Sequence, residues 1–228
     1  MGNIALIPAR GGSKRLPRKN IIDFLGKPII SYTIEAALQS NCFDRVVVST
    51  DDMEIASVAE QYGAEVDIRN DSLATDTSTV VDVCIDYLGK EAEKGNQYDI
   101  LCVLYATAPL RTAEDIRQLI SLIEPVECEF SIAVTDYDVP PHQALKLVGD
   151  LNLVPMWPEL INARSESIGE LRVDNGSTYA VTVPAFLKAR SFYGPTLRGY
   201  YMPHSRSVDI DTPNDYELAR HYAELNNR

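Results

Sequence analysis

The sequence predicts an α/β fold with a mainly parallel sheet, on three observations. Short β-branched runs alternate with amphipathic stretches over the first two-thirds of the chain, the pattern of successive βαβ units. Within the amphipathic stretches apolar residues recur every three or four positions, the helical period. The most basic loop of the chain follows directly on the first β-run, at a strand's carboxyl end, where open sheets of this kind hold their ligands. A chain of 228 residues can form one full α/β domain with a small appendage, and 1–228 is read as a single domain.

In chain order, strands are expected at 3–9, 45–50, 100–105 and 130–135, and helices at 28–40, 53–62, 79–93 and 113–123. Pro28 suits a first helical turn, and Thr112 is placed to cap the next helix with Asp115 three residues on. Segments 10–20, 49–52 and 106–111 then surround one crevice. From 139 to 175 the rhythm changes: Pro140, Pro141, Pro155 and Pro158, the only tryptophan, and short alternating runs such as 144–148 mark an inserted β-rich arm. The βα pattern returns with strands at 178–183 and 200–202 and a closing helix from Pro213, capped by Thr212.

Composition narrows the classes. No apolar run approaches the roughly 20 residues of a membrane span, and the N-terminus lacks the basic, apolar and small-residue regions of a signal peptide, so a cytoplasmic protein without membrane contact is expected. Cys42, Cys84, Cys102 and Cys128 show no CxxC spacing and suggest neither zinc nor disulfides. A net charge of -12 opposes general nucleic-acid binding, so any anion site is a local exception.

That exception is the segment PARGGSKRLPRKN. Arg10, Lys14, Arg15, Arg18 and Lys19 crowd together, and Gly11 and Gly12 let backbone N–H groups approach a ligand, so the loop can cradle a polyphosphate. It is neither GxGxxG nor GxxxxGK[ST], which argues against dehydrogenases and ATPases; the bland alternative is a solvated basic turn. In SVDIDTPND, Asp209 and Asp211 lie two apart on an expected strand end, both carboxylates on one face. Such a pair suits Mg²⁺, which fills its other positions with water and phosphate oxygens. The alternative is a capping turn, but Thr212 already supplies a cap. Ser49 to Asp52, STDD, fits equally a ligand site or an ordinary helix N-terminus. His142, His204 and His221 form no catalytic spacing; Arg164 can fork onto a carboxylate or sit in a surface ion pair; Tyr179, Phe192 and Tyr193 read as core or pocket wall.

Taken together, IPARGGSKRLPRKN, LGKPIISYTIEAAL, VVVSTDDMEIASVAEQYGAEV, SLATDT, ATAPLRTAEDI, DNGSTY and VDIDTPNDY resemble the acylneuraminate cytidylyltransferase family, from Ile4 to about Tyr216. The resemblance implies a Rossmann-like nucleotidyltransferase fold, a CTP substrate, an acidic nine-carbon sugar as acceptor, Mg²⁺, and a homodimer in which the arm of one subunit closes the sugar site of the other. It implies CTP contacts from Arg10, Gly11, Gly12, Ser13, Lys14, Arg15, Lys19, Asn20, Arg69 and Ser78, catalytic roles for Lys19, Asp209 and Asp211, and metal binding by the two aspartates. Sugar contacts are implied for Tyr105, Gln143, Arg164, Tyr179 and Phe192, with Phe192 and Tyr193 an aromatic pair lent by the partner subunit. Three departures bear on the sugar: Tyr105 replaces a glutamine, Gln143 stands where lysine is usual, and Val80 where serine often faces the nucleotide. With HQAL, MWPE and NARS, they look closer to the branch that activates pseudaminic acid. The rival readings are a ketodeoxyoctonate cytidylyltransferase and a nucleotide-binding module without turnover.

Overall fold

The computed structural model describes residues 2–13, 15–70, 73 and 78–226. β1 (Gly2–Pro8) reads GNIALIP, with Ile4 to Ile7 fully buried, because helices cover both faces of this central strand. It lies between β4 (Arg45–Thr50) and β6 (Tyr98–Leu104), parallel to both. β5 (Glu65–Ile68) pairs parallel to β4 at one edge, and β7 (Phe130–Thr135), β10 (Val173–Thr182) and β11 (Leu197–Tyr201) complete the other half. The order is β11-β7-β10-β6-β1-β4-β5, and β10 alone in this sheet runs antiparallel to its neighbours.

Alternate strand residues feed two cores. On one face Ala5, Ile7, Val48 and Leu104 meet Ile30 and Ile34 of α1 (Ile29–Ser40), Ile55 of α2 (Met53–Gln61), and Ile116 and Leu119 of α4 (Ala113–Ser121). On the other Ile4, Leu6, Val103 and Val181 meet Val83 and Tyr87 of α3 (Val80–Glu93) and Phe186 of α6 (Val183–Ala189). A third, smaller cluster joins Phe24 of the hairpin β2 (Asp23–Phe24) and β3 (Lys27–Pro28) to Ile210 and to Ala219 and Ala223 of α7 (Pro213–Asn226).

The first four expected strands and the first four expected helices are present within two residues at each boundary. Pro28 stands just outside α1 as its N-cap, and Thr79 and Thr112 cap α3 and α4 with reciprocal bonds to Asp82 and Asp115. Thr212 does the same ahead of α7, exchanging bonds with Asp215. The arm is β-rich as expected: β8 (Leu145–Val148) and β9 (Asn152–Pro155) form an antiparallel hairpin, followed by one helical turn, α5 (Ser165–Ile168). The strands expected at 178–183 and 200–202 begin earlier, at Val173 and Leu197, so β10 takes in the last three residues assigned to the arm. The aspartate pair needs a further correction. Asp209 and Asp211 are not on a strand; they lie in an irregular segment between β11 and α7. They still share a side because Ile210 between them is buried in the third core.

Candidate active site

The basic loop leaves β1 at Pro8 and is tied back at its start, where Ala9 N–H donates to the Ser49 carbonyl at 2.9 Å. Gly11 N–H donates to Asp51 Oδ1 at 3.0 Å, and a Cβ at Gly11 would stand 2.6 Å from Asp52 Oδ2, so no larger residue fits unshifted. Asp52 accepts from Glu54 N–H and Ile55 N–H as the α2 cap and also takes the Arg18 guanidinium, which holds its carboxyl below the usual range. STDD is thus an ordinary helix N-terminus that also anchors the loop. Asn20, 5% exposed, braces the loop from inside through Nδ2 to the Arg10 carbonyl at 2.8 Å.

Beyond the carboxyl ends of β1, β5 and β6 lies a cleft of ≈ 240 Å³. Arg10, Lys19, Asn20, Arg69, Ser78 and Tyr105 all line it, as does Val80. Arg69 is 7% exposed; its Nη2 donates to the Ser49 carbonyl at 2.9 Å, while Nε has no partner among the described residues. Burial lowers its pKa. A nearly desolvated guanidinium lining the cleft is suited to an anion or a nucleobase carbonyl. Lys14 and all of SLATDT except Leu73 lie outside the described residues.

Thr107, which the sequence reading did not single out, joins this cleft to the aspartates. Its hydroxyl donates to Asp209 Oδ1, and its carbonyl accepts from Ile210 N–H at 2.9 Å. Lys19 spans the same gap, lining the cleft while its Nζ donates to Asp211 Oδ1 at 2.6 Å; Arg15 Nη2 takes Asp211 Oδ2 at 2.5 Å. The two carboxylates are therefore tuned apart. Burial raises the Asp209 pKa despite Thr107 and Lys19; it would also raise that of Asp211, but Lys19 and Arg15 outweigh it and the net shift is downward. Two carboxylates two residues apart, Asp211 already holding two cations, are hard oxygen donors that fit a divalent ion of the Mg²⁺ type. Among the described residues no third His, Cys, Asp or Glu joins a metal-binding group, so water and phosphate oxygens would fill the remaining positions.

Arg111, also missed as a site residue, is 3% exposed and braces the floor. Its guanidinium donates to the Ser177 carbonyl at 2.8 Å, Thr178 Oγ1 at 3.1 Å, Thr33 Oγ1 at 2.8 Å and the Tyr105 carbonyl at 3.3 Å. Among the described residues no carboxylate bonds to it, and burial pushes its pKa down to about 10.

The expected sugar contacts divide. Tyr105 stands at the cleft and meets Tyr179 at 5.8 Å between ring centroids. Phe192 is 8% exposed, stacked at 5.2 Å on Phe186 and 5.1 Å from Tyr179. It is committed to the core of its own chain, so of the pair expected to be lent to a partner only Tyr193 is exposed, at 54%. Gln143 and Arg164 come together at a separate open hollow on the arm, which shares no lining residue with that cleft. His142 is neither at the surface nor hydrogen-bonded: it is 3% exposed and neither ring nitrogen has a partner among the described residues.

Three comparisons fit this geometry. A family model described as cytidylyltransferase matches residues 4–226. The pseudaminic acid cytidylyltransferase of Campylobacter jejuni subsp. jejuni serotype O:2 is 41% identical over 226 residues, covering 96% of this chain and 95% of that one. The CMP-N,N'-diacetyllegionaminic acid synthase of Legionella pneumophila subsp. pneumophila is 41% identical over 230 residues, covering 98% and 97%. Among solved structures, CMP:2-keto-3-deoxy-manno-octonic acid synthetase complexed with CTP superposes with a TM-score of 0.74 over 99% of this chain and 100% of that one; at 20% identity the likeness is one of fold.

Proposed function

Since the chain belongs to the cytidylyltransferase family, we propose that it transfers CMP from CTP to the anomeric hydroxyl of an acidic nine-carbon sugar, releasing pyrophosphate. The observation that carries this reading is that Lys19 and Thr107, both lining the cleft with Arg10, reach from it to the aspartate pair, Lys19 to Asp211 and Thr107 to Asp209. Two relatives at 41% identity, named for pseudaminic and diacetyllegionaminic acid, support the sugar class.

In this reading the anomeric oxygen attacks the α-phosphorus in line, the bond to the β-phosphate bridging oxygen breaks, and the hydroxyl proton passes to solvent or a carboxylate. Arg10, Arg15 and Lys19 hold the phosphates and stabilise the departing pyrophosphate, since preorganised charge is the main lever in such transfers. Arg69 and Ser78 hold the nucleoside end. Asp209 and Asp211 would hold Mg²⁺, which neutralises charge on the phosphates when bound. The enzyme works as a cytoplasmic homodimer. Support for the dimer is the arm hairpin, where Leu145, Leu147, Val148, Leu153 and Val154 are all exposed.

The deciding experiment is pyrophosphate release with CTP and Mg²⁺, run in parallel with N-acetylneuraminic, pseudaminic, legionaminic and ketodeoxyoctonic acids. Release with one nine-carbon sugar is expected. Release with ketodeoxyoctonic acid alone would replace the sugar class, and silence with all four alongside CTP binding would leave a binding module.

A further inference from the structure

Midway along β10 the register breaks. Val173 and Asp174 pair with Thr135 and Val134 of β7; the ladder is then interrupted up to Tyr179, and β10 joins β6 from Thr178. Gly176, at φ 68, makes the turn inside the interruption. Residues five apart on a regular strand face opposite sides, and a bulge re-aims them. Here it brings Asp174 and Tyr179 together: the Tyr179 hydroxyl donates to Asp174 Oδ2 at 2.9 Å. The Tyr193 hydroxyl donates to the same oxygen, and Gly176 N–H donates to Oδ1 at 2.9 Å. One carboxylate thus gathers three donors.

The cluster adjoins the site on two sides. Tyr179 lies against Tyr105, which lines the nucleotide cleft. The turn at Gly176 lies beside Asp209, where an added Cβ would come 3.7 Å from Oδ2. A wall of Tyr105, Tyr179 and Tyr193 therefore leads outward from the cleft and the aspartates, with Asp174 as its clamp.

We propose that Asp174 is a positioning residue for the sugar: by holding the hydroxyls of Tyr179 and Tyr193 it fixes the wall against which the acceptor sugar binds. The inference rests on the sugar-transfer reading above. Burial first, and Asp174 second, raise the Tyr179 pKa and push that of Tyr193 up to about 12, so both phenols remain donors at neutral pH.

The test is steady-state kinetics of Asp174→Asn, Tyr193→Phe and the double variant, with melting temperatures taken alongside. Loss of such a contact should raise KM for the sugar about tenfold in Asp174→Asn, with KM for CTP within about twofold. Tyr193→Phe, at an exposed position, should shift the sugar KM in the same direction, and the double variant should be no worse than Asp174→Asn, because the two act as one unit. An unchanged sugar KM, an equal rise in both KM values, or multiplying effects in the double variant would overturn the proposal. If Asp174→Asn does not fold, Tyr193→Phe and Tyr179→Phe decide it by the same split. A wild-type enzyme silent with every acid sugar would remove the reading beneath the inference and the inference with it; an active wild type with indifferent variants removes the inference alone.

Discussion

Asp211 carries two cations, Lys19 and Arg15, at 2.6 and 2.5 Å, while Asp209, two residues away, is turned into a desolvated position beneath Thr107. Asp211→Asn keeps the shape and removes the charge, so turnover should fall by roughly 10²–10³ with an unchanged circular dichroism spectrum; pyrophosphate release near the wild-type rate would remove the aspartate from the mechanism. Arg111 makes the opposite case, a residue whose weight is architectural. Its four acceptors come from α1, the segment after β6, and β10, and Arg111→Met would strand several of them in the interior. Thermal melting should show a loss of about 3 kcal/mol or more, since breaking a buried charged network is among the most damaging substitutions. Neither Arg111 nor Thr107 was legible as a site residue. Arg111 meets Ser177 and Thr33, and Thr107 meets Asp209, across 66, 78 and 102 positions, separations that no local pattern encodes. The basic loop was legible because its charge departs from that of an acidic chain.

At the level of elements, periodicity located β1, β4, β6 and β7 and helices α1 to α4, but not β5 or α6. β5 is a four-residue edge strand alternating Glu65 and Asp67 with Val66 and Ile68, too short and too charged to stand out, and it holds through its ladder to β4. α6 begins where β10 ends, with Pro184 in its first turn, so strand and helix share one apolar run. The α3 end shows how elements are tied. Glu91, 1% exposed, accepts from Arg45 of β4, Tyr98 of β6, Asn96 and Lys94. Burial alone would raise its carboxyl, but these donors win and bring it to about 2, below the 4.5 of an unperturbed glutamate. A carboxyl depressed on folding stabilises above its unfolded pKa and loses that contribution as pH falls through the folded value. At ~1.4 kcal/mol per pKa unit this amounts to roughly 3 kcal/mol, lost between about pH 4.5 and pH 2. Glu91→Gln should therefore lower stability at pH 7 and flatten its decline across that window, as read by denaturant titration at each pH; a parallel decline in both proteins would exclude Glu91 as a source of acid sensitivity.

For the whole molecule, the arm was visible in composition because prolines and alternating apolar residues replace the βα rhythm, whereas its use came only from the family resemblance; within one chain Gln143 and Arg164 gather away from the cleft. A two-stranded hairpin is marginal on its own, and one bearing Leu147 at 60% and Leu153 at 56% exposure calls for a covering surface. In the proposed homodimer the pair Leu147→Asp and Leu153→Asp should give a monomer by light scattering at micromolar concentration; an unchanged dimer mass would place the interface elsewhere, and a monomeric wild type would remove the dimer. The antiparallel strand has a bearing on how the chain acquires its shape. β6 and β7 are translated before β10, yet β10 lies between them. Until Thr182 has left the ribosome, each presents an open edge, and such edges invite pairing with other chains. The same strand carries Tyr179 and the turn beside Asp209. Seating β10 removes both open edges and sets Tyr179 in place, whereas Tyr193, β11 and the two aspartates follow later in the chain, so the site is finished only after a long aggregation-prone interval has passed.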